Sequence, residues 1–316
     1  MDSTPAQFDH RLVSKDVAWP CLFSVCCLVT KWSDYQLARC AYQKQGFHSG
    51  NSEFLVCDNS QKNVHDAFEA VRIFMREARG RYVLIAHQDA YPLEPCSKLL
   101  EQLDSLEKAD PMWGVAGNSG VERGRWLSLL GSLEMPGGIK IEMKRPFERV
   151  TNLDENVLLI RNGSGVTVSR DLRGYHLYGA DLCLVADRLG FSSYVLDYRW
   201  HHESYGTIGD DFFFSKKKLV SKLERHYAVT SAPTTCTHLN WRPSAWSKAD
   251  ACARSLFQVA FDPRNTVARA HLFKEGLKNP FFLPAVLGLC LRYGPRTIRK
   301  KVLRRLGLQR PDNSSI

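Results

Sequence analysis

The sequence of 316 residues contains no run of about 20 apolar residues and no CxxC cysteine pair. A membrane-spanning helix needs an apolar run of that length, and zinc ribbons use such cysteine pairs, so both features are excluded. The ten cysteines are scattered, and several lie in apolar runs, which is typical of proteins in a reducing compartment. The first residues, MDSTPAQFDHRLVSKD, lack the apolar core of a signal peptide. Together these absences predict a cytoplasmic protein.

The positive charge is concentrated at one end of the chain. The net charge is +10, but the segment that begins at Arg292 carries eight basic residues and one acidic residue, Asp312. The preceding 291 residues are therefore nearly balanced, which argues against a body-wide nucleic-acid-binding surface.

The basic C-terminal segment has the pattern of an amphipathic helix. In RTIRKKVLRRLGL (296–308), the apolar residues Ile298, Val302 and Leu306 recur every four positions among cations. Such a helix suits an anionic membrane surface, and we therefore predict peripheral membrane association. The alternative is a solvated basic helix that packs on its own domain.

The first half of the chain alternates between strand and helix patterns. Strands are predicted at 21–29, 52–60, 81–89 and 112–120. Helices are predicted at 33–45 with Ser33 as N-cap, at 63–80 closing on Gly80, and at 97–110. This alternation predicts an α/β fold with a mostly parallel sheet and helices on both faces.

The second half is less regular. Strands are predicted at 155–161 and 192–200 and a helix at 179–190, and after about residue 215 the pattern is helical. We predict an N-terminal extension (1–19), a main domain (20–215) and a helical C-terminal region (216–316).

Polar residues that can carry chemistry lie at the ends of the predicted strands or open a helix. Each has an ordinary structural explanation when it is taken alone: Asp58 is a good helix cap, and Asp181 suits the positive end of a helix dipole. Of two adjacent residues on a strand, only one faces a given side. Because ligands bind beyond the carboxyl ends of parallel strands, we expect these groups to converge. They are Asp58, Asn59, His87, Asp89, Asp181, His201 and His202.

The ordered set of motifs resembles the GT-A glycosyltransferases, specifically their family-two-like group. The resemblance covers roughly residues 20–215, and the order and spacing of its motifs are more specific than any one of them. The motifs are DNS (58–60), HQD (87–89), WGVAGNSG (113–120), LDENVLLIR (153–161), YHLYGADLCL (175–184) and YVLDYRWHHESYGT (194–207).

The resemblance implies a nucleotide-sugar site. The strand-end residues Asp58 and Asn59 would contact the nucleotide together with Thr30 and Lys31. Asp154 would approach the donor or the acceptor, although it and Glu155 equally suit a solvated strand start.

The resemblance also implies a metal site and a catalytic base. Asp89 matches the last residue of the family's metal-binding DxD motif, and His87 replaces the first. Since imidazole suits Mn²⁺ better than Mg²⁺, we expect Mn²⁺. His202 is the first choice and His201 the second choice for a further ligand. Asp181 matches the position of the general base, and Ala180 replaces its acidic neighbour.

These roles predict an inverting, metal-assisted transfer of a hexosyl or deoxyhexosyl group. The donor would be a nucleoside-diphosphate sugar, and the acceptor a hydroxyl of a glycan or lipid-linked molecule in polysaccharide biosynthesis. A cation can stabilise the diphosphate leaving group, and a carboxylate can accept the proton of the attacking hydroxyl. The alternatives are a catalytically inactive nucleotide-sugar- or glycan-binding module and, more weakly, a basic nucleic-acid-binding protein.

Overall fold

The computed structural model describes residues 18–122, 129–204, 208–226, 231–234, 238–240, 245–259 and 266–293. The helices are α1 (Trp32–Lys44), α2 (Ala67–Glu77), α3 (Cys96–Ala109), α4 (Tyr178–Arg188), α5 (Asp210–His226), α6 (Ala245–Val259), α7 (Thr266–Leu277) and α8 (Phe282–Tyr293). The longer strands are β1 (Cys21–Val29), β2 (Ser52–Asp58), β3 (Gly80–Ala86), β5 (Trp113–Gly117), β10 (Phe147–Val150), β12 (Val157–Arg161) and β13 (Ser192–Leu196). The short strands are β4 (Ala90–Pro92), β6 (Ser119–Val121), β7 (Leu129–Gly131), β8 (Leu133–Met135), β9 (Ile139–Ile141), β11 (Asn152–Leu153), β14 (Trp200–His202), β15 (Ser231–Pro233) and β16 (His238–Asn240).

Seven strands form the central sheet in the order β10-β13-β5-β12-β3-β1-β2. Strands β2, β1, β3, β5 and β13 run in one direction, while β12 and β10 run antiparallel to their neighbours. The predicted mostly parallel α/β sheet is therefore confirmed. The antiparallel direction of β12 was not predicted, and it brings the residues before Val157 to the edge where β3 ends.

Alternation along the strands builds an apolar core on each face of the sheet. On β3, Val83 and Ile85 belong to the core that includes residues of α2, α4 and α5. Their neighbours Tyr82 and Leu84 belong to the core on the other face, with residues of α1 and α3. The helices thus cover both faces, as the strand–helix alternation predicts.

Two predicted helix ends differ from the structure. The N-cap of α1 is Lys31, not Ser33, and α2 ends at Glu77. Gly80 is the first residue of β3, where a Cβ would collide with the backbone of Phe23 and Ser24. The glycine therefore permits close strand packing and does not close a helix.

Helix α5 runs through the predicted domain boundary at residue 215, and its Phe212, Leu219 and Leu223 belong to the core that includes α2 and α4. A separate apolar cluster joins α6 and α8. No described helix is long and apolar enough to cross a membrane. The predicted amphipathic segment 296–308 lies outside the described residues.

Candidate metal and nucleotide site

Strand pairing brings His87, Asp89 and His202 together. Strand β3 ends at Ala86, so His87 and Asp89 lie in the short turn before β4. Strand β14 pairs antiparallel with β4, with His202 opposite Ala90. The distance between His87 Nδ1 and His202 Nε2 is 3.2 Å, and that between His202 Nε2 and Asp89 Oδ1 is 3.5 Å. Three of the residues predicted as metal ligands, two from the turn after β3 and one from β14, therefore form one cluster.

The hydroxyl of Tyr178, the first residue of α4, orients His87. It donates to the carbonyl oxygen of Glu155 at 2.8 Å and lies 3.3 Å from His87 Nε2. The Tyr178 hydroxyl donates its only proton to that carbonyl. Its oxygen can therefore only accept a hydrogen bond from His87, which means that the Nε2 of His87 carries the proton. This tautomer leaves a lone pair on Nδ1, the atom that faces His202. Such an outer contact is how proteins orient metal-binding histidines.

Burial and the local charges favour the ligand-competent protonation states. Burial and the neighbouring His202 lower the pKa of His87 to about 4. Burial alone would raise the pKa of Asp89, but hydrogen bonds from His202 and Ser204 outweigh it and hold that pKa well below its ordinary value. A neutral imidazole and an ionised carboxylate are the forms that bind metal ions.

His201 points away from this cluster. Its ring stacks on Tyr91 at 4.9 Å between centroids, and its Nε2 lies 2.6 Å from a carboxylate oxygen of Glu203. Adjacent residues of β14 face opposite sides, so His202 is the histidine in the cluster and the second choice, His201, is not.

The cluster fits a divalent cation. Ligand atoms of His87, Asp89 and His202 all lie within 4.8 Å of one another. Metal–nitrogen and metal–oxygen bonds of about 2.0–2.2 Å require ligand atoms to lie a few ångströms apart. Two imidazoles and one carboxylate suit a first-row transition metal better than Mg²⁺.

Gln88 connects this cluster to the end of β1. Its Oε1 accepts hydrogen bonds from the backbone N–H groups of Thr30 and Lys31, both at 2.8 Å, and its Nε2 donates to Thr30 Oγ1 at 2.9 Å. Thr30 and Lys31, which were predicted to line the nucleotide site, are thus attached to the turn that carries His87 and Asp89.

Asp58 lies next to this segment, because its register partner in β1 is Val29. Its exposed carboxylate accepts a hydrogen bond from the N–H of Ser60 at 2.8 Å. The indole of Trp32, which is 40% exposed, donates to Ser60 Oγ at 3.2 Å. A carboxylate and a partly open aromatic ring therefore flank one loop at the carboxyl edge of the sheet.

Asn59 is buried, and its amide is fully used within its own loop. Its Oδ1 accepts from the N–H groups of Val64 and His65, and its Nδ2 donates to Asn63 Oδ1 and to the carbonyl oxygen of His65. These contacts satisfy both its donors and its acceptor. Asn59 therefore holds the loop beside Asp58, and its side-chain amide is used within that loop.

The structure places Asp154 and Glu155 near the cluster. The N–H of His87 donates to the carbonyl oxygen of Asn156 at 2.9 Å, which fixes this segment beside the end of β3. Burial raises the pKa of Asp154, and the nearby His202 acts in the opposite direction.

Glu155 lies against the first turn of α4. A Cβ added at Gly179 would lie 3.3 Å from Glu155 Cγ and 2.7 Å from the carbonyl oxygen of Leu153. Burial and the carboxylate of Asp154 raise the pKa of Glu155 to about 8, while the N–H groups of Leu177 and Gly179 act against them.

Asp181, the predicted general base, is buried and hydrogen-bonded in the structure. It is 1% exposed, and its two carboxylate oxygens accept hydrogen bonds from the N–H and the Oγ–H of Ser169, at 2.6 and 2.7 Å. These contacts attach α4 to the segment before it. The structure does not bring the carboxylate of Asp181 into the cluster.

Sequence patterns missed Gln88 and Tyr178. Gln88 lies between two ligand positions, and its role depends on a contact with residues 57 or more positions earlier. Tyr178 lies three residues before Asp181, on the same helix, and the motif that contains it predicts no contact for its hydroxyl. For both residues, the signal in the sequence is a polar side chain inside a motif quoted above: Gln88 in HQD and Tyr178 in YHLYGADLCL.

Comparison with known proteins shows a relative in sequence and a likeness in fold. No protein-family model matches the chain. The protein named ATP synthase subunits region ORF 6, from Fuscovulum blasticum, is 32% identical over 215 residues, which are 65% of this chain and 85% of the relative. The crystal structure of S. aureus TarS 1-349 in complex with UDP-GlcNAc has a TM-score of 0.50 at 12% identity, covering 92% of this chain and 93% of that chain. At this identity the likeness shows the fold, which is that of the GT-A glycosyltransferases.

Proposed function

Since the chain belongs to the family of the ATP synthase subunits region ORF 6 protein of Fuscovulum blasticum and has a GT-A fold, we propose that it is a nucleotide-sugar-dependent glycosyltransferase. The name of the relative states no activity, so the proposal depends on the site. The observation that carries it is the cluster of His87, Asp89 and His202 beside Thr30 and Lys31, at the carboxyl edge of the sheet. That edge is where open α/β sheets bind ligands.

Different residues would bind the cation and the nucleoside of the donor. His87, Asp89 and His202 would hold a divalent cation, with Mn²⁺ as the preferred ion. When bound, that cation would act as a Lewis acid toward the diphosphate. Thr30, Lys31 and the exposed carboxylate of Asp58 would contact the nucleoside. Neither His201 nor Asn59 has a role in this proposal, because their polar groups are used elsewhere.

For the proton of the attacking hydroxyl we propose Glu155 as the acceptor, in place of Asp181. Glu155 is half-buried at the N-terminus of α4, and its carbonyl oxygen is joined through Tyr178 to His87. Both oxygens of Asp181 are instead occupied by Ser169. A single carboxylate that activates the acceptor opposite the leaving group gives displacement with inversion. Asp154, next to Glu155 and near His202, would approach the donor.

The function is tested by donor binding and by turnover. The full-length protein should be stabilised by some member of a panel of UDP-, GDP- and dTDP-sugars only when Mn²⁺ is present. A free donor concentration of 100 times Kd adds about 2.7 kcal/mol to the free energy of unfolding, which a thermal-shift measurement resolves. Release of nucleoside diphosphate, with or without added glycan acceptors, measures turnover.

Three outcomes separate the candidate functions. Metal-dependent binding with turnover supports the glycosyltransferase. Metal-dependent binding without turnover on any acceptor favours the inactive nucleotide-sugar-binding module, for which the closed environment of Asp181 is the supporting observation. Absence of binding to every donor contradicts both. The acceptor that we propose is a glycan or a lipid-linked molecule, and the transferred group a hexose or deoxyhexose.

We also propose that the C-terminal region docks on an anionic membrane. Five large apolar side chains of α6, α7, α8 and the turn between α7 and α8 are 42–57% exposed: Trp246, Phe273, Leu277, Phe281 and Leu283. The rings of Trp246 and Phe281 are in contact, with centroids 5.6 Å apart. The net charge of +7 that begins at Arg292 favours an anionic surface as the partner of this apolar corner.

The corner is held together by the turn between α7 and α8. Asn279 Nδ2 donates to the carbonyl oxygen of Ala245 at 2.6 Å, which fixes this turn against the start of α6. Trp246 follows Ala245, while Leu277, Phe281 and Leu283 lie within four residues of Asn279, so these apolar side chains surround that bond.

Vesicle co-sedimentation checks the membrane proposal. The wild-type protein should bind vesicles containing phosphatidylserine at low salt and be released at high salt. Leu277→Asp with Leu283→Asp should release it, as should neutralising Arg299, Lys300, Lys301 and Arg304, because each cation near the surface contributes about 1 kcal/mol. Leu37→Asp, at a position on α1 that is 71% exposed, should have no effect. A wild type that ignores anionic vesicles contradicts the membrane proposal and leaves the glycosyltransferase proposal unaffected.

A further inference from the structure

Gln88 is placed between two metal-ligand residues, yet its side chain contacts a different part of the site. Its carboxamide makes three hydrogen bonds of 2.8–2.9 Å to Thr30 and Lys31. In two of them the carboxamide oxygen accepts a main-chain N–H, and in the third the carboxamide nitrogen donates to the hydroxyl of Thr30. A single planar group thus fixes both the backbone and the side chain of the segment between β1 and α1.

The N–H groups whose hydrogen bonds Gln88 accepts belong to Lys31, the N-cap of α1, and to Thr30, the residue before it. The first N–H groups of a helix have no partner within the helix, and Lys31, the N-cap of α1, makes no capping hydrogen bond with its own side chain. Gln88 provides an acceptor for the N–H of Lys31 from the turn between β3 and β4. The position of the segment 30–31 therefore depends on the position of the turn that follows β3.

We propose that Gln88 couples cation binding to nucleoside binding. This inference rests on the proposed function, in which His87 and Asp89 hold the cation and Thr30 and Lys31 line the nucleoside site. A cation that fixes the turn 87–89 would, through the carboxamide of Gln88, also fix the segment 30–31. Gln88 is thus a positioning residue and contacts neither ligand itself.

Coupling is measured best with a nucleoside that has no phosphate. A nucleoside diphosphate would contact the cation directly, whereas uridine or guanosine cannot, so any coupling must pass through the protein. Affinities of the full-length protein for Mn²⁺ are measured by calorimetry with and without saturating nucleoside. In the wild type we expect the nucleoside to tighten Mn²⁺ binding by about fivefold, at the lower end of typical coupling.

The decisive variant is Gln88→Met, which keeps the length of the side chain and removes all three hydrogen bonds. We expect the ratio of the two Mn²⁺ dissociation constants to fall to within twofold of one. Thr30→Val removes only the bond to Gln88 Nε2 and should give an intermediate ratio. Gln36→Met, at an exposed position on α1, is the matched control and should keep the wild-type ratio.

The outcomes separate this inference from the proposed function. Gln88→Met with the wild-type ratio overturns the inference, even if Mn²⁺-dependent binding of nucleoside diphosphate is intact and the proposed function stands. A wild type that binds no nucleoside diphosphate with Mn²⁺ overturns the proposed function and the inference with it. If Gln88 has only a structural role, Gln88→Met lowers the melting temperature and leaves the ratio unchanged. If Gln88→Met does not fold, the ratio for Thr30→Val decides, and an unchanged value there also overturns the inference.

Discussion

Asp89→Ala is expected to abolish the Mn²⁺-dependent binding of nucleoside diphosphate and to leave the fold intact. Asp89 supplies the only carboxylate of the described cluster, so its loss removes the negative charge that balances the cation. Calorimetric titration of UDP and GDP into the variant, with Mn²⁺ and with a chelator, measures the effect. Removing one of three ligands should weaken Mn²⁺ binding by at least the 10- to 100-fold that outer-shell changes cause.

The two adjacent histidines of β14 provide the matched control. His202→Ala should lose Mn²⁺ binding to a similar extent, because its Nε2 faces both His87 and Asp89. His201→Ala should bind Mn²⁺ like the wild type, because that ring stacks on Tyr91. Equal donor affinity with chelator and with Mn²⁺ in the wild type would contradict the metal site, and equal losses in both histidine variants would contradict the assignment of His202.

A substitution of His87 tests whether the site prefers Mn²⁺ or Mg²⁺. His87→Asp would convert the donor set to two carboxylates and one imidazole, which is more favourable for Mg²⁺. The ratio of the Mg²⁺ and Mn²⁺ dissociation constants should therefore shift toward Mg²⁺. An unchanged ratio would show that His87 is not a ligand.

The sequence predicts the sheet well because strand alternation is a local signal. Apolar runs such as 21–29 match β1 to the residue, and the two apolar faces of β3 follow from a period of two. The direction of β12 could not be predicted, because an apolar run has the same composition whichever way the strand enters the sheet. That direction decides the site, since it brings Glu155 and Asn156 next to the end of β3.

Position in the sheet determines where the predicted metal ligands lie. His87, Asp89 and His202 converge because strand ends and the pairing of β4 with β14 bring them together. The roles of Asn59 as a nucleotide contact and of Asp181 as a general base stay predictions, and they depend on which way each side chain points. Hydrogen bonds to distant or neighbouring residues, such as Ser169 for Asp181, fix those directions, and no periodicity in the sequence reveals them.

Glu155→Gln is expected to reduce kcat by about 10²–10⁴-fold, the usual contribution of a general base, with donor affinity little changed. Glutamine keeps the size of the side chain and its contact with Gly179 but cannot accept a proton. Because the pKa of Glu155 is raised to about 8, the wild-type rate should increase with pH up to about that value as the carboxylate loses its proton. The variant should lack this increase.

Asp181→Asn should instead lower stability and leave kcat per folded molecule within about threefold of the wild type. The asparagine amide would place a donor against one of the two hydrogen-bond donors of Ser169, and a buried unsatisfied group costs about 1–3 kcal/mol. Ser169→Ala removes one of the same hydrogen bonds without changing the carboxylate, so it should also lower the melting temperature with normal kcat. These measurements pair thermal unfolding with initial rates on the same protein samples.

The opposite pattern of kcat values would assign the role of general base to Asp181. If Asp181→Asn lost 10²-fold or more in kcat while Ser169→Ala did not, the carboxylate of Asp181 itself would be needed in the reaction. The hydrogen bonds to Ser169 would then have to break when the acceptor binds. Near-normal kcat in Glu155→Gln would show that Glu155 is not the general base. The glutamine side chain keeps the contact with α4 and lacks only the carboxylate that accepts the proton.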